Sequence, residues 1–203
     1  MSMLLLDIDG VIVRDEVVLD HVKHNIVRYV NKKLPMTKSP SPTKLNSLLY
    51  RAYGHTAKGL EREFGIDTRD FNEYVYTPSV VNHLCDFLKT DEFETDAKYI
   101  RRMYDRGWDI ALFSNSPLAW SEPVREAIGI QEISNDVYSK PDLESYLRFS
   151  DKADKVVVVD DKLCNLMPTL FFPHWTPVHF SQTRETNFIR TIGSMHELIN
   201  VIP

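Results

Sequence analysis

Two short apolar runs that end in aspartates constrain this chain more than any other feature. Met3-Leu4-Leu5-Leu6 leads into Asp7-Ile8-Asp9-Gly10, and Val156-Val157-Val158-Val159 leads into Asp160-Asp161. A short uninterrupted apolar run bounded by polar residues reads as a strand buried on both faces, the habit of parallel sheets. Side chains alternate along a strand, so Asp7 and Asp9 set out from one face, and Gly10 lets the chain turn sharply behind them. Two carboxylates held together repel each other, and a cation between them removes the repulsion. Asp-x-Asp at a strand end therefore points to a hard metal ion with one carboxylate left for chemistry, the plain alternative being an acidic turn.

The remaining strands come from the second half of the chain. Ile110-Ala111-Leu112-Phe113 reads as a buried strand broken by Ser114-Asn115-Ser116-Pro117, Asp136 to Ser139 as a short strand or loop, and Pro177 to Phe180 as a further strand. Between them lie helical patterns: one capped by Thr95 and ended by Gly107, then Pro123–Ile128, Leu143–Phe149, Cys164–Phe171 and one around Met195–Ile199. Such alternation implies an α/β, Rossmann-like parallel sheet with helices on both faces. The stretch after the first strand is different. Val11–Val13 and Val17–Leu19 around Arg14-Asp15-Glu16 suggest a small hairpin, and Asp20 then caps a helix through His21–Leu34. Pro35 to Pro42 is a loop, and every pattern from there to about residue 90 is helical, with Thr56 a cap within it. The expected organisation is a core of 1–19 and 91–203, with a small all-helical domain, 20–90, inserted after the first strand. His21 and His24 read as part of a solvated helix face.

Composition narrows the partners. With 24 Lys and Arg against 29 Asp and Glu, the net charge is −5, and no basic stripe suits a nucleic-acid polymer. No apolar run approaches the ~18 residues of a membrane span, and Met1 to Leu6 lacks the basic start of a signal peptide. Cys85 and Cys164 have no paired-motif spacing, which fits a reducing, cytoplasmic setting. Oligomeric state leaves no mark on the sequence.

In open parallel sheets, ligands bind beyond the carboxyl ends of the strands. Three predicted strands end there in polar groups: Asp7 and Asp9, Ser114 and Asn115, Asp160 and Asp161, with Lys140 in a loop between the last two pairs. Carboxylates from two strands form an oxygen-rich site suited to Mg²⁺. The Ser114 hydroxyl and the Lys140 ammonium can hold an anion, and Lys140 also offsets the acidic excess. That set suits phosphoryl transfer, in which positioning and charge neutralisation do most of the catalysis.

Asp7-Ile8-Asp9-Gly10-Val11-Ile12, Leu112-Phe113-Ser114-Asn115-Ser116, Lys140-Pro141 and Val156 to Asp161 resemble, in order and spacing, the four motifs of the haloacid dehalogenase-like (HAD) hydrolases. The resemblance implies that Asp7 is the nucleophile and Asp9 the general acid and then base. It implies Mg²⁺ held by Asp7, the Asp9 backbone carbonyl and Asp160, with Asp161 nearby, and phosphate held by Ser114, Asn115, Lys140 and Gly10. Dehalogenases of the superfamily lack the second aspartate; Asp9 is present here, which favours a phosphatase or phosphomutase. Val11 stands where protein phosphatases of the family have threonine. The helical block resembles a cap, which implies a small phosphate ester as substrate. Tyr53-Gly54-His55-Thr56-Ala57-Lys58-Gly59-Leu60 with Phe71-Asn72-Glu73-Tyr74-Val75 is similar to the pyrimidine 5′-nucleotidase branch, so Tyr53 and Thr56 are candidate specificity residues. Gly10 and Tyr76 depart from that branch, where asparagine and histidine are usual. A sugar-phosphate phosphatase or phosphomutase is the alternative, and a non-catalytic binding protein on the same scaffold the third reading.

Overall fold

A computed structural model describes residues 1–35, 40–130, 132–134, 140–183 and 186–201. Strand β1 (Ser2–Leu6) is followed by five helices: α1 (Glu16–Lys33), α2 (Pro42–Tyr53), α3 (Thr56–Phe64), α4 (Thr68–Val75) and α5 (Pro78–Phe87). Helix and strand then alternate through α6 (Asp91–Asp105), β2 (Trp108–Phe113), α7 (Leu118–Ile128), β3 (Glu132–Ser134), α8 (Leu143–Leu147) and β4 (Lys155–Asp160). Helix α9 (Leu163–Leu166), a 3₁₀ turn at Met167–Phe171, β5 (Trp175–Phe180), β6 (Arg190–Ile192) and α10 (Met195–Val201) complete the chain.

The six strands form one sheet in the order β3-β2-β1-β4-β5-β6, every neighbouring pair parallel. The order runs outward from β1 in one direction through β2 and β3, and in the other through β4, β5 and β6. Right-handed crossovers in opposite directions put their helices on opposite faces. This is the α/β, Rossmann-like class. Both faces of the central strands are covered: Leu4, Leu5, Leu6, Val156 and Val159 have no exposed surface. One face packs Met3, Leu5, Ala111, Phe113, Val156 and Val158 against Tyr146, Phe149, Leu166 and Trp175. Alternation turns Leu4, Leu6, Leu112 and Val157 to the other face. Leu6 is in register with Leu112 on one side and Val159 on the other, so β1, β2 and β4 run out at the same level. The strand order reverses between β1 and β4, the point where ligands of such sheets bind.

The contacts divide the chain into two compact units, Met1–Arg14 with Asp86–Pro203, and Asp15–Cys85. The first holds the sheet. In the second, α1 carries Tyr29 and Val30 into the interior, and Tyr29 packs edge-on against Phe71 of α4, ring centroids 5.3 Å apart. His21 on α1 faces His83 on α5, the two Nδ1 atoms 2.9 Å apart.

Several local expectations are corrected. The hairpin after Gly10 does not form. The Asp15 side chain accepts the Val18 N–H at 2.9 Å, so α1 starts at Glu16, before Asp20, and takes Val17–Leu19 into the helix. Thr90, not Thr95, caps α6, its hydroxyl accepting from Phe93 N; Thr95 lies inside the helix and donates to the Asp91 carbonyl. Helix α7 begins at Leu118 and carries Pro123 within it. Thr56 is the first residue of α3 and His55 holds the cap position. The expected strand or loop at Asp136–Ser139 lies outside the described residues. No helix among the described residues is long and apolar enough to cross a membrane, and both cysteines are free.

Candidate active site

The four motifs converge at the carboxyl edge of β1, β2 and β4. Asp7 follows β1 directly and its N–H donates to the Val159 carbonyl at 3.0 Å, extending the pairing with β4 by one residue. The chain then folds over itself. Ile8 O accepts from the N–H groups of Val11, Ile12 and Val13, while Gly10 N–H donates to Val13 O at 2.8 Å. Arg14 braces this turn: it donates to Val11 O at 2.7 Å, pairs with Asp96 of α6 at 2.6 Å, and lies over the Phe180 ring.

Lys140 is the centre of charge. It is 1% exposed, with its ammonium 3.0 Å from Asp7 Oδ1 and 2.5 Å from Asp160 Oδ2. Burial pushes the ammonium toward its neutral form, but Asp160 and Asp7 together outweigh that and hold it charged, its pKa raised above the ordinary lysine value. Its backbone is gripped by Asn115, which accepts from Lys140 N at 2.8 Å and donates to Lys140 O at 2.9 Å. Lys140-Pro141 is a cis peptide. Asp160 is fixed by Lys162 N–H at 2.8 Å and by both bonds of the Asn165 amide at 3.0 Å. Tyr146 in turn donates to the Asn165 carbonyl.

Asp7, Asp160 and Asp161 each place a carboxylate oxygen within 4.8 Å of the others. Three carboxylates and one buried ammonium leave the cluster with excess negative charge. Burial, and then Asp160, raise the Asp7 pKa; burial likewise raises Asp161. Asp161 Oδ1 is buried and accepts no hydrogen bond among the described residues, with the Lys162 ammonium 3.4 Å away. Crowded hard oxygens, one of them met only by the Lys162 ammonium at 3.4 Å, fit a divalent cation of the Mg²⁺ kind, which would relieve the repulsion and complete the contacts of that buried acceptor.

The Asp9 carboxylate is not in that cluster. It turns to Ser116 Oγ, 2.8 Å from Oδ2, and to Trp120 Nε1, 2.8 Å from Oδ1. Burial and the nearby Asp7 raise its pKa, against the pull of these two hydrogen bonds.

Of the predicted residues, Asp7, Asp9, Gly10, Ser114, Asn115, Lys140, Asp160 and Asp161 all lie in the sheet-bearing unit. Hydrogen bonds, ion pairs and close approach link all but Asp9 and Ser114 directly to one another or to Lys140, and those two are joined through Ser116. Ser114 is buried at the end of β2 and its hydroxyl accepts the Ser116 N–H at 3.1 Å. Asn115 acts on the Lys140 backbone. Gly10, at φ +88°, has its N–H committed to Val13; what it provides is room, since a Cβ there would fall 2.5 Å from Asp161 Oδ2. Tyr53 and Thr56 belong to the helical unit: Thr56 is buried and donates to Asn46 at 2.6 Å, and Tyr53 bonds to Glu63. Sequence reasoning missed Ser116, Trp120 and Asn165. Ser116 stood inside the quoted motif; Trp120 had only an ordinary core signal and Asn165 none.

No protein-family model matches the sequence, and no curated protein matches it significantly. Solved structures do match in shape. A HAD phosphatase from Thermococcus onnurineus superposes with a TM-score of 0.65 at 15% identity, over 99% of this chain and 97% of that one. The HAD-hydrolase YfnB from Bacillus subtilis, bound to magnesium, gives 0.61 at 14% identity over 98% and 97%. CbbY from Rhodobacter sphaeroides, in complex with phosphate, gives 0.60 at 13% identity over 97% and 95%. The chain thus has the fold of the HAD phosphatases and hydrolases along essentially its whole length.

Proposed function

We propose that this chain is a Mg²⁺-dependent phosphomonoesterase that works through an aspartyl-phosphate on Asp7. The observation that supports it most is the division of labour between two adjacent aspartates: Asp7 faces the Lys140 ammonium and the acidic cluster, while Asp9 is held apart by Ser116 and Trp120. A carboxylate beside a fixed cation suits attack on phosphorus. A separate carboxyl with a raised pKa suits proton transfer to an alkoxide leaving group, which a carbon–halogen bond would not require.

In the first half-reaction Asp7 bonds to phosphorus as the ester P–O bond breaks, and Asp9 gives its proton to the departing oxygen. In the second, water attacks phosphorus, Asp9 takes its proton, and the Asp7 carboxylate is released with inorganic phosphate. Lys140 has three donors; with two engaged by Asp7 and Asp160, the third is available to a phosphoryl oxygen, alongside the Ser114 hydroxyl. Asp7, the Asp9 carbonyl and Asp160 would hold Mg²⁺ with Asp161 beside them, and the bound ion would neutralise charge gathering on the phosphoryl oxygens.

The helical unit acts in this reading as a cap that restricts access to small esters and shields the transfer from water. A nucleoside 5′-monophosphate is the substrate we favour, on the similarity of Tyr53–Leu60 and Phe71–Val75 to the nucleotidase branch. The bonds of Thr56 to Asn46 and of Tyr53 to Glu63 give that segment a packing role as well. Phosphate release from pyrimidine and purine monophosphates and from sugar phosphates, each with Mg²⁺ and with chelator, tests the reading. Metal-dependent release from nucleotides supports it. Turnover of sugar phosphates alone moves the substrate class, isomerisation without release indicates a mutase, and absence of turnover on every ester contradicts catalysis.

A further inference from the structure

The two hydrogen-bond donors on Asp9 are chemically unequal. Trp120 Nε1 lies 2.8 Å from Oδ1, and Ser116 Oγ lies 2.8 Å from Oδ2. An indole N–H can only donate, whereas a hydroxyl can donate or turn and accept. A proton on Oδ1 would point at another N–H; a proton on Oδ2 would meet an oxygen able to receive its hydrogen bond.

We infer that Trp120 is a positioning residue that keeps Oδ1 a permanent acceptor, making Oδ2, partnered by Ser116, the oxygen that gives and takes the proton. The inference rests on the acid–base role proposed for Asp9. Both partners are built to hold still. The Trp120 side chain has no exposed surface and sits in the first turn of α7, so its indole cannot turn away without repacking the core. Ser116 is fixed through its backbone: its N–H donates to Ser114 Oγ at 3.1 Å and its carbonyl accepts from Ser121 Oγ at 3.3 Å. Asp9 itself is held by its bridge to Val13.

The proton bookkeeping closes on one atom. As the ester P–O bond breaks and Asp7 bonds to phosphorus, the Oδ2–H bond breaks and its proton moves to the leaving oxygen. The Ser116 hydroxyl then rotates from acceptor to donor and stabilises the carboxylate. In the return step, a water proton moves to Oδ2 as the water oxygen bonds to phosphorus and the bond to Asp7 breaks. Trp120 donates to Oδ1 throughout.

Trp120→Phe keeps the aromatic bulk and removes the N–H. The test is kcat and KM on two esters at saturating Mg²⁺, an alkyl phosphate and p-nitrophenyl phosphate, compared as kcat/KM, which reads the first half-reaction, where only the alkoxide needs a proton donor. The expected result is a kcat/KM loss at least about tenfold larger on the alkyl ester than on the aryl ester, within the 10²–10⁴-fold range of general acid catalysis. Ser116→Ala shows the same selectivity, and Ser116→Thr, which restores a hydroxyl, recovers most of it. Equal losses of kcat/KM on both esters, or no rescue by Thr over Ala, overturns the inference. If Trp120→Phe does not fold, the Ser116 pair decides alone. Asp9→Asn on the same esters separates the two layers. If Asp9→Asn is ester-selective and Trp120→Phe is not, only the positioning role fails. If Asp9→Asn slows both alike, the acid role fails and takes this inference with it.

Discussion

Replacing Lys140 by methionine removes the one cation that is fully buried at the site among the described residues, at nearly constant side-chain length. The Lys140 ammonium is 1% exposed and bridges Asp7 and Asp160 at 3.0 and 2.5 Å. Methionine fills the space, so no cavity forms, but two carboxylates lose their partner beside a third, Asp161. Removing one member of a buried ion pair costs about 3–5 kcal/mol. For a chain of this size each kcal/mol moves the melting temperature by about 2–4 °C, so the drop is about 6–20 °C. The pH dependence has a definite sign. Burial and Asp160 already raise the Asp7 pKa, and Lys140 opposes them. Without Lys140 the folded-state pKa rises further above that of the unfolded chain. The folded variant then binds its proton more tightly than the unfolded chain does. The deficit is therefore small below the ordinary carboxylate pKa of about 4 and grows as pH rises toward the raised folded value. Mg²⁺ replaces the missing charge and recovers part of the loss. Thermal melts of Lys140→Met and the parent from acid to neutral pH, in chelator and in Mg²⁺, measure all of this. A variant melting within about 2 °C of the parent in chelator at neutral pH, or a deficit that narrows as pH rises, would refute the electrostatic account.

Two further substitutions probe the geometry around that cation. Gly10→Ala, at φ +88° and with its Cβ 2.5 Å from Asp161 Oδ2, forces the Asp161 carboxylate to rotate away; half-saturation by Mg²⁺ rises about 10–100-fold, measured by activity against Mg²⁺ concentration and checked by calorimetry. An unchanged Mg²⁺ requirement would show that Asp161 has no part in metal binding. Asn115→Ala frees both backbone groups of Lys140 and lowers stability by about 1–3 kcal/mol, read in denaturant unfolding, together with a fall in kcat; a neutral effect on both would mean that the clamp does not position Lys140.

The central strands were legible because burial on both faces leaves an unambiguous apolar run, as in Leu4–Leu6 and Val156–Val159, and because each run ends in the acids that the edge uses. Lys140 was legible from its place in a loop between the polar strand ends and as a motif member; the sequence carries no hint that Asn115 grips its backbone. Trp120 shows why the rest was hidden. An indole in the first turn of an amphipathic helix reads as core, and it is core; only the packing of α7 beside the turn after β1 brings its N–H to a carboxylate 111 residues away in sequence. Helix starts failed for a local reason. Asp15 and Asp20, or Thr90 and Thr95, are equally good caps by type, and the choice is made by which side chain reaches the N–H three residues on. Strand β6 is three residues long, too short for any alternation to register.

The most direct test of the account is to trap the covalent intermediate. Rapid acid quench of a single turnover with a radiolabelled phosphate ester in Mg²⁺ should leave label on the protein, labile to hydroxylamine and mapping to the peptide that contains Asp7. Asp7→Asn should remain folded by its melt and carry no label. Phosphate released at full rate with no label on the protein at any time, or label retained in Asp7→Asn, would contradict nucleophilic attack by Asp7.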